Sequence, residues 1–170
     1  TDIRDSLDDE YRQMFALSEY LLGTYGHLAK TVILANTEAD NRMLEIMRHT
    51  GSSELAIRNT IAWQNTRFRA VDQARRRHPG ARLKLLNAFE IALVNLAIDR
   101  QGHRFVKSSR GRWNALRDVV PKVAFDLLSY SAYESTNAPF ETGAIDTPAG
   151  DTGKRLARDL ARIGRATSKP

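Results

Sequence analysis

The chain has 170 residues, no cysteine and a formal net charge of +6. This length is enough for one domain with a buried core, and the lack of cysteine excludes a disulfide scaffold and a cysteine-rich zinc site. The longest apolar run falls short of the roughly 18 residues that a membrane-spanning helix needs, and no secretory leader pattern opens the chain. We therefore expect a soluble, intracellular protein.

The charge is unevenly distributed along the chain. Residues 1–66 carry 6 basic and 10 acidic side chains, whereas residues 67–117 carry 13 basic and 3 acidic ones. A block this basic within a folded region indicates an acidic partner. Arginine outnumbers lysine 20 to 6, which fits phosphate recognition and equally fits the codon use of a GC-rich genome.

Helical spacing of apolar residues predicts the first three elements. The segment from Leu7 to Leu34 is predicted to form two helices, or one that is kinked around Gly23 and Gly26. A short helix should follow and end before Gly51. A third, with Ser52 or Ser53 as its N-cap, should run through Leu55 and Trp63 towards the arginines and stop at 78–80.

The clearest predicted helix is 82–99, which covers nearly all of the segment ARLKLLNAFEIALVNLAI (81–98). Its Leu86, Phe89, Leu93 and Leu96 recur at steps of three and four residues, as on one face of a helix. We expect this helix to form the centre of the core.

Two further helices and an extended arm complete the predicted fold. The apolar spacing predicts a helix over 113–130, with a start or a bend at Pro121. Residues 137–153 contain prolines and glycines and are predicted to form an extended arm, and KRLARDLARIGR is predicted to form a short basic amphipathic tail helix.

Since no stretch alternates apolar and polar residues as a strand does, we predict an all-α fold, a four- to five-helix bundle with extended N- and C-terminal arms. Residues 1–136 would be the bundle core with an acidic N-terminal segment, and 137–170 the arm and tail.

Catalytic and metal-binding patterns are poor in this sequence. Glu45 and His49 form one i,i+4 pair, without the second histidine that a metalloprotease helix requires. The segment GDTGKR, 150–155, lacks the glycine spacing of a phosphate-binding loop and the hydroxyl residue after its lysine. We therefore predict no enzymatic activity, no cofactor and no metal.

Two basic clusters flank the predicted central helix and are candidate nucleic-acid contacts. Each alone is also explained as a solvated helix end, because cations complement the C-terminal helix dipole. The second cluster lies on a polar loop beside Phe105 and Trp113, which offer stacking surfaces for bases or serve as core anchors. The first cluster consists of Arg67, Arg69, Arg75, Arg76 and Arg77, together with Arg82 just beyond them, and the second of Arg100, Arg104, Lys107, Arg110 and Arg112.

Downstream of the first cluster, several motifs follow one another in a definite order. They are ALVNLAID, RQGHR, the loop FVKSSRGR, the segment NALRDVVPKVAFDLLSY and the pair Phe-Glu in NAPFETG. This order resembles the helical coat proteins of rod-shaped plant RNA viruses, the tobamovirus-like group. The resemblance implies a four-helix bundle, with Asp118 as a carboxylate between loop and helix. Its RNA-facing residues would be Arg100, Arg104, Arg110, Arg112 and Arg117. That family usually has an arginine just before the Phe-Glu pair, and this chain has none there.

The segment VAFDLL, 123–128, is similar to the core motif of the coat proteins of flexuous filamentous plant viruses. That resemblance implies a pair between Asp126 and Arg82 near an RNA groove. It also implies Ser52 or Ser53 as an RNA-contacting serine.

The leading hypothesis is a non-enzymatic structural nucleoprotein, a viral coat protein that polymerises helically along single-stranded RNA. It would reside in the virion and, during assembly, in the host cytoplasm, without a membrane partner. The acidic start TDIRDSLDDE would dock on a neighbouring subunit, and the arm would lie across an adjacent one. One alternative is a coat protein or a bacterial protein that binds double-stranded DNA. The other is a basic helical interaction or effector module.

Overall fold

Helices and parallel strands alternate in the computed structural model, which describes residues 4–97, 106–107, 113–133, 135–136 and 152–167. The fold is therefore mixed α/β, and the all-α prediction is wrong. A 3-10 turn, Val120–Lys122, precedes the last strand. In chain order the elements are α1 (Arg4–Tyr25), β1 (Thr31–Leu34), α2 (Ala39–Thr50), α3 (Ser53–Arg77), β2 (Lys84–Ile91), β3 (Leu96–Ala97), β4 (Val106–Lys107), α4 (Ala115–Asp118), β5 (Leu127–Tyr130) and α5 (Thr152–Thr167).

Three of the strands form a parallel sheet in the order β1-β2-β5. Strand β1 pairs with the first half of β2, where Thr31 lies opposite Lys84. Strand β5 pairs with the second half, where Ala88 lies opposite Leu127. All three strands therefore point their carboxyl ends towards one edge of the sheet, which we call the carboxyl edge. The short strands β3 and β4 form a separate antiparallel pair.

The segment predicted to be the central helix forms strand β2 instead. A spacing of four residues fits a helix, but it equally fits every second residue of a strand, because four is a multiple of two. In β2 the alternate residues Leu85, Asn87, Phe89 and Ile91 are all buried. A strand inside a parallel sheet reads as a nearly continuous apolar run, which periodicity alone does not distinguish from a buried helix.

Two other predicted helical stretches are also corrected by the structure. Helix α1 ends at Tyr25, and the apolar TVIL that follows forms β1. The helix predicted over 113–130 is one turn of α-helix and a 3-10 turn that contains Pro121, followed by β5. Both strands are short runs rich in apolar residues, and their hydrogen-bond partners are distant in sequence.

The remaining helices agree with the sequence analysis. Helix α2 ends at Gly51, which adopts the left-handed φ of 66° that favours glycine. Helix α3 begins after Ser52, whose side chain accepts a hydrogen bond from the backbone N–H of Leu55 at 3.2 Å. The tail helix is present as α5. The predicted arm, 137–153, lies outside the described residues up to 151.

Helices cover one face of the sheet. Near α1, buried residues of this helix and of α3 pack against Val32, Leu34 and Leu85. Near α2, the core includes Phe89 and Ile91. Because side chains alternate along a strand, the intervening residues lie on the opposite face, which we call the far face. Ile33, Leu86, Ala88, Glu90 and Leu127 belong to it.

Candidate ligand site at the carboxyl edge

Two arginines of the first basic cluster are engaged in contacts inside the molecule. Arg67 pairs with Glu10 of α1 at 2.6 Å, its guanidinium lies over the Trp63 ring, and its side chain is 13% exposed. Arg75 donates to both carboxylate oxygens of Asp126 at 3.0 Å. These arginines hold helices and strands together, which explains their position without a nucleic-acid partner.

The other residues of this cluster are more exposed. Arg76 pairs with Asp72 on the same helix, and Arg77 lies over the Phe15 ring, 4.8 Å from its centroid. Arg69 and Arg82 are exposed near the two ends of this segment. The structure thus divides the first cluster into two structural arginines and four with solvent-accessible side chains.

Most of the second basic cluster lies outside the described residues. The residues that the structure does not describe are Arg100, Arg104, Arg110 and Arg112. Lys107 lies in β4, and Arg117 lies in α4, where it pairs with Asp118 at 2.9 Å. Asp126, which the coat-protein resemblance pairs with Arg82, pairs with Arg75 instead and also accepts the backbone N–H of Asn87 at 2.8 Å. Ser52 is the N-cap of α3.

The carboxyl edge brings together polar side chains from all three parallel strands. Asn36 lies in the loop after β1, Glu90 is the penultimate residue of β2, and Ser131 follows β5 directly. In α/β proteins ligands bind at this edge, because the loops there converge while the strands hold them in fixed positions. These three residues belong to neither basic cluster, so the sequence analysis did not predict a site at the carboxyl edge.

Hydrogen bonds connect these three residues into one line across the sheet. The side-chain oxygen of Asn36 accepts the backbone N–H of Glu90 at 3.0 Å. The hydroxyl of Ser131 donates to Glu90 Oε1 at 2.7 Å, and its backbone N–H bonds to the carbonyl of Ile91 at 2.9 Å. The Glu90 carboxylate is therefore oriented by one neighbouring strand while its backbone is fixed by the other. It is half-buried on the far face, away from the helices.

A second acidic residue at this edge, Asp40, has a structural role. It is 2% exposed, and one of its oxygens accepts the backbone N–H groups of Ala92 and Leu93 at 2.9 and 3.1 Å. Its other oxygen accepts the N–H of Ala115 at 2.8 Å. Asp40 therefore joins the start of α2 to the segment after β2 and to the start of α4, and these bonds leave it inaccessible to a ligand.

A third acidic residue, Asp159 of α5, attaches the tail helix to the same end of the sheet. It is 1% exposed and accepts hydrogen bonds from Asn95 at 2.7 Å, from the Tyr130 hydroxyl at 3.1 Å and from Ser135. Because Tyr130 is the last residue of β5, α5 packs directly beside the carboxyl edge.

The loops at this edge are rich in polar groups. Residues 35–40 and 90–97 contain Glu38, Asp40 and Glu90 but no lysine or arginine. Helix α5 brings two arginines to the same edge: Arg155 donates to the carbonyl of Ser135 at 2.8 Å, and Arg162 donates to the side chain of Asn95 at 2.9 Å. Ligand hydroxyl groups would find carboxylate, amide and hydroxyl partners there. Among the described residues, no group of three or more histidine, aspartate or glutamate side chains is arranged to hold a metal ion.

The sequence contains a partial signal for this site. Two of the three strands are short apolar runs followed at once by polar residues, as in TVILANTEAD and DLLSYSAYES, whereas β2 is followed by the apolar ALV. Runs of four to eight apolar residues that end in this way are typical of parallel strands, with the polar residues at the carboxyl edge.

No helix in the described ranges is long and apolar enough to cross a membrane. Comparisons of the chain with protein-family models, with curated protein sequences and with solved structures found no match. The resemblance to viral coat proteins therefore stays a prediction.

Proposed function

We propose that this chain binds a neutral, hydroxyl-rich small molecule, such as a saccharide, at the carboxyl edge of its parallel sheet. Glu90 is the central residue of this site and acts on the ligand as a general acid or base. The observation that carries the proposal is the line Asn36–Glu90–Ser131, in which three parallel strands each place a polar side chain at their shared edge.

The chemistry of the edge supports a saccharide in particular. Hydrolysis of a glycosidic bond uses two carboxylates. The second candidate is Glu38, which follows Asn36 by two residues at the start of α2 and accepts a hydrogen bond from Asn41. Tyr133, which is 54% exposed just after Ser131, offers an aromatic face on which a sugar ring can stack. In this proposal the protonated carboxyl of Glu90 donates its proton to the leaving oxygen as the glycosidic C–O bond breaks. The carboxylate of Glu38 takes a proton from the water whose oxygen forms the new bond to the sugar carbon.

The test is hydrolysis of a panel of nitrophenyl glycosides by the wild-type chain and by Glu90→Gln. Glutamine keeps the size of the side chain but cannot transfer the proton, so we expect a rate at least about 100-fold lower. Glu45→Gln is the matched control, since Glu45 is exposed on α2, and it should leave the rate unchanged.

Binding is measured separately by saturation-transfer NMR with the parent sugars. Binding that Glu90→Gln weakens, without hydrolysis, would support the ligand site and overturn the acid–base role. A wild-type chain that neither binds nor hydrolyses any member of the panel would overturn the whole proposal.

Nucleic-acid binding is a second proposal, which the charge of the block 67–117 and the exposed side chains of Arg69, Arg76 and Arg82 favour. Binding through phosphates should weaken steeply with salt.

The test of nucleic-acid binding is fluorescence anisotropy with labelled single-stranded RNA and duplex DNA at low salt. It compares the wild-type chain with a variant in which Arg104, Arg110 and Arg112 are replaced by alanine. A loss of RNA affinity in this variant supports the coat-like function, and rods in negative-stain electron microscopy would extend it to polymerisation. A preference for the duplex would favour the DNA-binding alternative, and no affinity for either would overturn both.

A further inference from the structure

Polar side chains lie between the two apolar clusters of the core beneath α3. One cluster contains Val71 of α3 and Leu85 of β2, and the other contains Ala56 of α3 and Phe89 of β2. Helix α3 therefore runs antiparallel along β2. Because side chains alternate along a strand, Asn87, which is halfway between Leu85 and Phe89, faces the middle of α3.

The middle of α3 presents two polar side chains to the sheet. Gln64 lies about two turns before Val71, on the same face of the helix, and Thr60 lies one turn earlier. The side-chain amide of Gln64 donates to the carbonyl of Ala124 at 3.3 Å. We call Thr60, Gln64 and Asn87 the polar layer.

Contacts with the segment before β5 show that Gln64 and Asn87 approach the same point. Gln64 reaches Ala124, and Asn87 exchanges two hydrogen bonds with Asp126. The backbone N–H of Asn87 donates to the Asp126 carboxylate at 2.8 Å, and its carbonyl accepts the N–H of Asp126 at 2.9 Å. Since Ala124 and Asp126 are two residues apart, the helix and the strand bring these two amides together from opposite sides.

The side chains of the polar layer are fully buried and lack partners. All three residues have no solvent exposure. The hydroxyl of Thr60, the oxygen of Gln64 and both polar atoms of the Asn87 amide have no hydrogen-bond partner in the described part of the chain. Buried polar groups are nearly always hydrogen-bonded in native proteins, because an unpaired one has lost its bonds to water without replacement.

We propose that the polar layer binds one ordered water molecule, which bridges Asn87 of β2 to Gln64 and Thr60 of α3. A direct bond between the two amides would leave one atom of Asn87 and the hydroxyl of Thr60 unpaired, whereas water both donates and accepts. A buried water makes about three hydrogen bonds, and the layer offers four unpaired atoms. An ion does not fit, because these groups are neutral and the charges of Arg75 and Asp126 beside them are paired with each other.

The bridge attaches α3 to the sheet at the point where apolar packing is interrupted. Replacing only one of the amides leaves the other buried and unpaired, which destabilises the fold. Replacing both with apolar side chains of similar size removes the groups that hold the water and lets the two clusters join. The informative variant therefore combines Gln64→Met with Asn87→Leu.

The first test is a high-resolution crystal structure of the wild-type chain. We expect an ordered water at about 2.7–3.2 Å from the Asn87 amide and from Gln64 or Thr60. A direct bond between the two amides, with no water beside them, would overturn the proposal.

The second test counts long-lived buried waters in solution by magnetic relaxation dispersion. The wild-type chain should hold one more such water than the double variant. Gln73→Met is the matched control, since Gln73 is exposed on the same helix, and it should leave the count unchanged. Equal counts in the wild type and the double variant would overturn the proposal, and if the double variant does not fold, the wild-type crystal structure decides. None of these outcomes depends on whether Glu90 binds a ligand.

Discussion

Asp40 is the residue whose side chain joins three separate backbone segments at the carboxyl edge. In Asp40→Asn one of the two accepting oxygens becomes an N–H₂ donor that faces a backbone N–H group. This change leaves buried donors without an acceptor, and we expect a loss of about 3 kcal/mol in the free energy of unfolding. Urea denaturation measures it. The exposed Glu45→Gln on the same helix should change stability by less than about 0.5 kcal/mol, and an equal effect of the two variants would contradict the structural role of Asp40.

Arg75 and Asp126 form the second test at the residue scale, because the sequence predicted both as nucleic-acid contacts. Their side chains are 25% and 21% exposed, and Arg75 also donates to the carbonyl of Leu85 at 3.3 Å. We expect a double-mutant cycle with Arg75→Ala and Asp126→Ala to give a coupling energy of about 1–2 kcal/mol in unfolding.

The control for this pair is Arg76→Ala, next in the chain. Arg76 is 74% exposed and makes a surface pair with Asp72, which contributes about 0–1 kcal/mol. No measurable coupling between Arg75 and Asp126 would show that their contact is incidental. In that case both side chains would again be candidates for binding a partner.

The helices are the elements that the sequence predicted well, and Gly51 tests why. This residue ends α2 with a φ of 66°, and a Cβ added there would meet no atom within 4 Å. The cost of Gly51→Ala is therefore conformational rather than steric, and we expect about 1 kcal/mol of destabilisation in thermal or urea unfolding. Gly80→Ala, where a Cβ is equally free of contacts and φ is not left-handed, should be nearly neutral. Similar effects at both positions would contradict this explanation.

The strands could not be predicted by the same means. Helix α3 carries its own signals, a serine cap and a continuous apolar stripe, because its hydrogen bonds are local. Strand β2 has its partners 53 and 39 residues away, at Thr31 and Leu127, and no local pattern reports such pairing. The candidate site could not be predicted for the same reason. The sequence predicts a helix at Glu90, and only the parallel pairing of β1, β2 and β5 brings this residue beside Asn36 and Ser131.

At the scale of the whole molecule, the carboxyl edge is where long-range polar contacts converge. Asp40 joins α2 to α4 and to the segment after β2, the line of Glu90 joins three strands, and Asp159 joins α5 to β5. The helix-covered face, by contrast, is held mainly by apolar packing. The edge that we propose as the ligand site is thus fixed by hydrogen bonds from six elements, as a site that positions reacting groups requires.

Asp159 tests whether the tail helix belongs to this unit. In Asp159→Ala, the amide of Asn95 and the hydroxyls of Tyr130 and Ser135 lose their common acceptor, and α5 should open locally while the sheet stays folded. We expect backbone amides in 152–167 to exchange roughly 30-fold faster, which corresponds to about 2 kcal/mol, with little change in β2 and α3. Hydrogen–deuterium exchange with mass spectrometry measures both regions at once. Arg165→Ala, at an exposed position of the same helix, is the control. If the two variants exchange alike, Asp159 does not hold α5, and its attachment rests on apolar packing and on the bonds of Arg155 to Ser135 and of Arg162 to Asn95.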